Sequence, residues 1–264
     1  MKKSFKQRLK SMLAVDFRRM FTTPLFYIMV AASFVIPILI LVMTTMMDGT
    51  VSVNPQTGAE TVMEGFKSVW QIIGSVSSAE AGAGMSMDIT SMCNINMMFF
   101  LIAVFVCVFV GDDFRSGYSK NLFTVRAKKT DYVISKSIAG FVAGASMIVA
   151  FFIGAMFGGA MAGLPFSLEG VTAYNIIMSM LSKIFLVSIF SSIYLIAAVF
   201  AKQRLWLSLI LSFGVGMLFF TMIPIISPLN AGFINVLLCL VGGGLMCFGI
   251  GCLSNLILNK IDLY

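Results

Sequence analysis

The sequence predicts an all-α polytopic membrane protein: an N-terminal amphipathic helix, then six transmembrane helices, with both termini in the cytoplasm. Three observations carry this. Of 264 residues, 59% are hydrophobic and only 11% are charged, where a soluble chain is roughly a quarter charged. Six apolar runs each reach the roughly 20 residues needed to cross the hydrocarbon. Lys and Arg are also partitioned: seven precede the first run, six lie between the second and third, two between the fourth and fifth, and one in the tail. That puts 16 of 18 on one side, the cytoplasmic side by the positive-inside rule. Only Lys67 and Lys183 stand apart, so the formal charge of +7 expresses topology rather than a nucleic-acid surface.

Residues 1–23 place Phe5, Leu9, Met12, Leu13, Phe17, Met20 and Phe21 at helical spacing, with a basic opposite side that includes Arg18 and Arg19. Such a helix belongs in the inner interface, each near-surface cation contributing about 1 kcal/mol on an anionic leaflet. The following run is too long for a signal peptide. The first span is 24–47; Thr22 or Thr23 can cap it, Pro24 suits its first turn, and Pro37 lies inside and kinks it. Residues 48–93 form an acidic extracellular loop, with Phe66, Val69, Trp70, Ile73 and Val76 spaced as a short interfacial helix anchored by Trp70. The other spans are 94–111, 137–162, 174–200, 206–226 and 233–258, all within one transmembrane domain over residues 1–264.

No Asp or Glu falls in the middle of a span, which argues against ion-coupled transport. Residues 1–264 hold no His, no G-x-S-x-G and no Gly-Lys dipeptide, so metal chemistry, an intramembrane hydrolase and a Walker ATP site all lack their residues. Five Cys without a C-x-x-C pattern read as small packing residues. Lys183 is the one charge well inside a span. A central Lys costs about 2.5–3.5 kcal/mol, and the two readings are snorkelling to the near interface or lining an outward cavity that attracts anions. Pro224 and Pro228 mark either a gate or a simple turn. Small residues at four-residue spacing (Gly140/Gly144, Gly154/Gly158, Gly243/Cys247/Gly251) favour close helix packing within the chain, with dimerisation as the other use.

Between the second and third spans, residues 112–136 are the one long charged island. Phe114, Tyr118, Leu122 and Val125 fall on one face of a short helix, with Asp112 and Asp113 at its N-terminus, where negative charge suits the dipole. The alternative is a plain basic inner-surface loop. Two stretches resemble the ABC-2 type permeases of ATP-binding cassette exporters. Asp16–Val30, DFRRMFTTPLFYIMV, is similar to that family's run from elbow helix into first span. Gly111–Gly140, GDDFRSGYSKNLFTVRAKKTDYVISKSIAG, is similar to its acid–x–x–x–glycine motif and downstream lysine, here Asp113, Gly117 and Lys136. The family usually has Glu where Asp113 stands.

The resemblance implies an elbow helix bearing Phe17, Arg18 and Arg19, and a coupling helix that docks on a separate ATPase through Asp112, Asp113, Phe114, Arg115, Gly117, Tyr118, Lys120 and Leu122. Phe114, Arg115 and Tyr118 lead as contacts because aromatics and Arg anchor interfaces. It further implies a permease subunit of the bacterial cytoplasmic membrane, paired with a second copy or paralogue, with ATP and Mg on the partner and no cofactor or active site on this chain. The substrate would be a hydrophobic or amphipathic peptide, lipid or drug, the compact form resembling bacteriocin-immunity and antimicrobial-peptide exporters. A different class, a non-transporting scaffold or sensor using the 48–93 loop, is the alternative.

Overall fold

The computed structural model describes residues 5–53, 60–62, 65–74, 94–125, 129–220 and 223–260. They are almost wholly helical: α1 Phe5–Thr22, α2 Pro24–Met47, α3 Met97–Arg115, α4 Tyr118–Val125, α5 Lys129–Ala162, α6 Ala173–Ala201, α7 Leu205–Phe220, α8 Ile223–Ile226 and α9 Phe233–Lys260. A ladder of three residues a side, β1 Val51–Val53 against β2 Glu60–Val62, is the exception. Helices α2, α3, α5, α6 and α9 are long and apolar enough to cross a membrane, and α7 is a shorter apolar helix. This is the build of a multi-pass helical membrane protein.

Helix α5 has 34 residues, roughly 50 Å at 1.5 Å per residue, well beyond a hydrocarbon core of about 30 Å. It starts at Lys129, eight residues before the span expected at 137, so its first two turns form part of the foot of the bundle. There α1 lies across it. Met12, Asp16 and Met20 recur every fourth residue and are the buried side of α1. Helices α3 and α6 are the most enclosed, whereas α2 and α9 turn most of their surface outward, where Met43, Met46, Leu245 and Phe248 are exposed.

Close approach is built from glycine. A Cβ on Gly154 of α5 would stand 2.1 Å from the Phe34 carbonyl oxygen and 2.8 Å from Pro37 Cγ, and one on Gly158 2.7 Å from Ile38 Cα. Backbone therefore meets backbone where α2 crosses α5, next to the proline that removes one ladder donor from α2. On α9, a Cβ at Gly243 would meet Ser188 Oγ at 2.4 Å. These small-residue faces are spent inside the chain.

Two expected features differ. Thr23 does stand at the N-cap of α2, but its hydroxyl makes no cap bond and instead donates backward to the Arg19 carbonyl at 2.7 Å. No interfacial helix forms around Trp70. Ser68 and Gln71 close a capping box around one 3-10 turn, Val69–Ile72, and Phe66, Val69 and Ile73 are buried in the bundle rather than laid on a surface. Trp70 Nε1 donates to the Phe166 carbonyl at 2.7 Å, so the turn is clasped to the α5–α6 loop; Val76 lies outside the described residues. Of the run expected at 206–226, Leu205–Phe220 and Ile223–Ile226 are helical, and the two residues between them lie outside the described ones.

Candidate functional site

The charged island resolves into a buried ionic cluster at the foot of the bundle. Asp113, in the last turn of α3, accepts from Arg19 of α1 (Nη1–Oδ1 2.5 Å) and from the Tyr132 hydroxyl (3.0 Å). Its Oδ2 lies 2.7 Å from Lys136 Nζ. Lys136 sits also 2.9 Å from Asp16 Oδ1, and Asp16 Oδ2 accepts from Ser135 Oγ at 2.5 Å. Both Lys136 contacts are close ion pairs rather than aligned hydrogen bonds. The ammonium is further roofed by the Phe109 ring, 4.0 Å from its centroid.

Two carboxylates thus face two cations, and the side chains of Asp16, Asp113 and Lys136 are fully buried. Charge balance is what makes such burial tolerable. Burial opposes the Arg19 charge, but the adjacent Asp113 carboxylate outweighs it and holds the guanidinium above its ordinary range. A second pair, Arg8 Nε–Asp131 Oδ2 at 2.9 Å, ties α1 to α5 two turns away from the first. Lys129 Nζ donates to the Leu258 carbonyl at 2.6 Å, fastening the end of α9 to the same foot.

The acids are not at the start of a coupling helix, as expected, but in the last turn of α3, which runs to Arg115. There the helix dipole disfavours negative charge, and Arg19 and Lys136 supply what the dipole cannot. The chain then reverses at Gly117, whose φ of +72° is a conformation glycine adopts without penalty. Phe114 and Tyr118 consequently belong to different helices, and the continuous face drawn through them is broken.

Phe114 is 4% exposed and packs edge-on against Tyr132 at 6.4 Å, so it is a core residue rather than a docking anchor. Tyr118 is half-buried, with the Arg19 guanidinium 4.5 Å over its ring. Leu122 is partly buried against the core. Asp112, Arg115 and Lys120 are exposed, Arg115 Nη1 being 4.0 Å from Asp112 Oδ1. On α1, Arg18 is exposed and Phe17 half-buried against Phe21. The Val125 side chain and Arg126 lie outside the described residues.

Asp16, Tyr132 and Ser135 are the members of the cluster that sequence reasoning passed over. A signal for Asp16 was present: it is the only acid in residues 1–23, and it sits four residues from both Met12 and Met20, on the apolar side.

Lys183 neither snorkels nor lines an open cavity. Its side chain is fully buried and donates to the Ser227 carbonyl (2.8 Å) and Ser227 Oγ (3.2 Å). Pro224 falls inside α8 and Pro228 is half-buried in the turn after it. Among the described residues no group of three or more metal-ligating side chains assembles. Comparison with protein-family models, curated proteins and solved structures finds no match to this chain.

Proposed function

We propose that the chain is the permease subunit of an ATP-driven exporter of the ABC-2 type, six spans with both termini cytoplasmic, working as a pair of permeases on two ATPase subunits. The observation that carries this reading is the ionic cluster. It joins the amphipathic α1, the α3–α4 corner and the foot of α5 into one unit, and leaves Asp112, Arg115 and Lys120 exposed at that corner. A force applied to the corner by a nucleotide-driven partner would be delivered to α5 through Asp113 and Lys136 rather than absorbed locally. The chain's own residues offer no phosphate-binding loop, so ATP and Mg belong to the partner. The cargo would be a hydrophobic or amphipathic peptide, lipid or drug moved outward across a bacterial cytoplasmic membrane.

The test is co-purification of the tagged chain with the products of its neighbouring genes. The native chain should retain an ATPase and stimulate its turnover, and Arg115→Glu with Lys120→Glu should reduce retention at least tenfold while the chain stays folded. Absence of any ATPase partner, or unaltered retention in the doubly charge-reversed variant, would reject this docking surface.

A further inference from the structure

Lys183 lies in α6 (Ala173–Ala201), and its ammonium rests on two neutral acceptors, the carbonyl and hydroxyl of Ser227. Among the described residues every carboxylate found in an ion pair is Asp16, Asp112, Asp113 or Asp131, all engaged at the foot. Among the described residues no carboxylate pairs with Lys183. One turn earlier on the same face of α6, Ser179 is fully buried and its hydroxyl finds no partner. The neighbouring Ser182 hydroxyl is likewise buried without a hydrogen-bond partner, and the buried Cys239 of α9 lies within electrostatic reach of Lys183. An intramembrane ammonium is expensive to bury without a counter-charge, and the usual relief is an anion.

We propose that Lys183, with the hydroxyls of Ser179 and Ser227, is a binding point for an anionic oxygen group, a carboxylate or a phosphate, carried by an amphiphile. In this conformation Ser227 occupies the ammonium in place of the ligand. Ser227 follows the last residue of α8, its N–H donating to the Ile223 carbonyl (2.9 Å), and Asn235 Nδ2 donates to the preceding Ile226 carbonyl at 3.2 Å. An entering anion would exchange two ammonium contacts to neutral oxygens for an ion pair in which donor and acceptor both carry charge. Room for the alkyl part exists one turn earlier along α6, in an apolar groove of about 400 Å³ between α5 and α6, with Phe152, Met156, Ile176 and Met180 on its walls.

The test needs no ATPase partner, so its outcome is independent of the exporter reading. The purified full chain in dodecyl maltoside is melted with dodecanoate, dodecyl phosphate or neutral dodecanol at equal concentration. In the native chain and in Lys183→Arg an anionic probe should raise Tm by about 3 °C more than dodecanol. Ser227→Ala should keep that difference and Lys183→Met should abolish it. Preference for the phosphate assigns a lipid headgroup, and preference for the carboxylate a peptide or fatty-acid terminus. Equal effects of anionic and neutral probes, or a difference that persists in Lys183→Met, overturn the proposal.

Should Lys183→Met not fold, a native-lysine protein with Cys239 as its sole cysteine decides. Dodecyl phosphate or dodecanoate should alter its rate of alkylation by N-ethylmaleimide at least threefold relative to dodecanol. Equal rates overturn the proposal.

Discussion

At the scale of single residues, Lys136 is the position on which the foot depends. It is buried between Asp16 and Asp113, 2.9 Å from one and 2.7 Å from the other, while Arg19 neutralises only the second. Removing Lys136 leaves two buried carboxylates against one guanidinium, and breaking a buried pair by deleting one partner costs about 3–5 kcal/mol. Lys136→Met should therefore lower stability by that order, read as a loss of Tm in detergent. Adding Asp16→Asn restores the balance to one acid and one base, and the double variant should recover more than half of the lost Tm. If the double variant is less stable than Lys136→Met, charge balance is not what holds the cluster. The position of this lysine was legible in the sequence. Its partner Asp16 was not weighed, because in a segment with seven bases the eye reads charge as surface, and only the spacing to Met12 and Met20 places one acid on the inner side.

At the scale of elements, the crossing of α2 and α5 is set by the absence of two Cβ atoms. Gly154 faces the Phe34 carbonyl and Pro37, and Gly158 faces Ile38. A side chain at Gly154 meets backbone, which cannot step aside without parting the helices. Gly154→Leu should cost more than an ordinary overpacking change of about 1–3 kcal/mol, seen as poor recovery of folded protein by size exclusion. Gly242→Leu on α9, where nothing lies within 4 Å of the added carbon, should be tolerated. Equal behaviour of the two would show that the α2–α5 contact does not set the fold. Helix existence and most boundaries followed from hydropathy alone: α2 spans the same residues as expected, and α6 and α9 differ by at most two at either end. The failures have a common physical origin. Where a local device intervenes, hydrophobic spacing misleads: Gly117 ends α3 and splits the Phe114–Val125 face, and the Ser68–Gln71 box winds the Trp70 segment into a single turn.

At the scale of the whole molecule, the tethers decide how the chain passes through the membrane. Lys129 holds the last turn of α9 at the foot, beside Arg8–Asp131. Lys183 holds the turn preceding α9 higher up, on α6. Lys202, which closes the end of α6, and Leu205, which opens α7, belong to the positive α6–α7 corner. The segment from Leu205 to Ile226 must therefore carry the chain back up the bundle. Helix α7 alone, with 16 residues, covers roughly 24 Å, short of the 30 Å or so of hydrocarbon, and α8 supplies part of the remainder. The six-span reading proposed above puts Gln203 and Asn230 on opposite sides of the membrane, α7 being a shorter apolar helix. In a cysteine-free background, Asn230→Cys should react with an impermeant maleimide on intact cells. Gln203→Cys and Arg115→Cys should react only after permeabilisation. Labelling of Gln203→Cys and Asn230→Cys from the same side would make α7–α8 a re-entrant loop and put the end of α9 on the other side from the foot, a placement that the Lys129–Leu258 bond forbids.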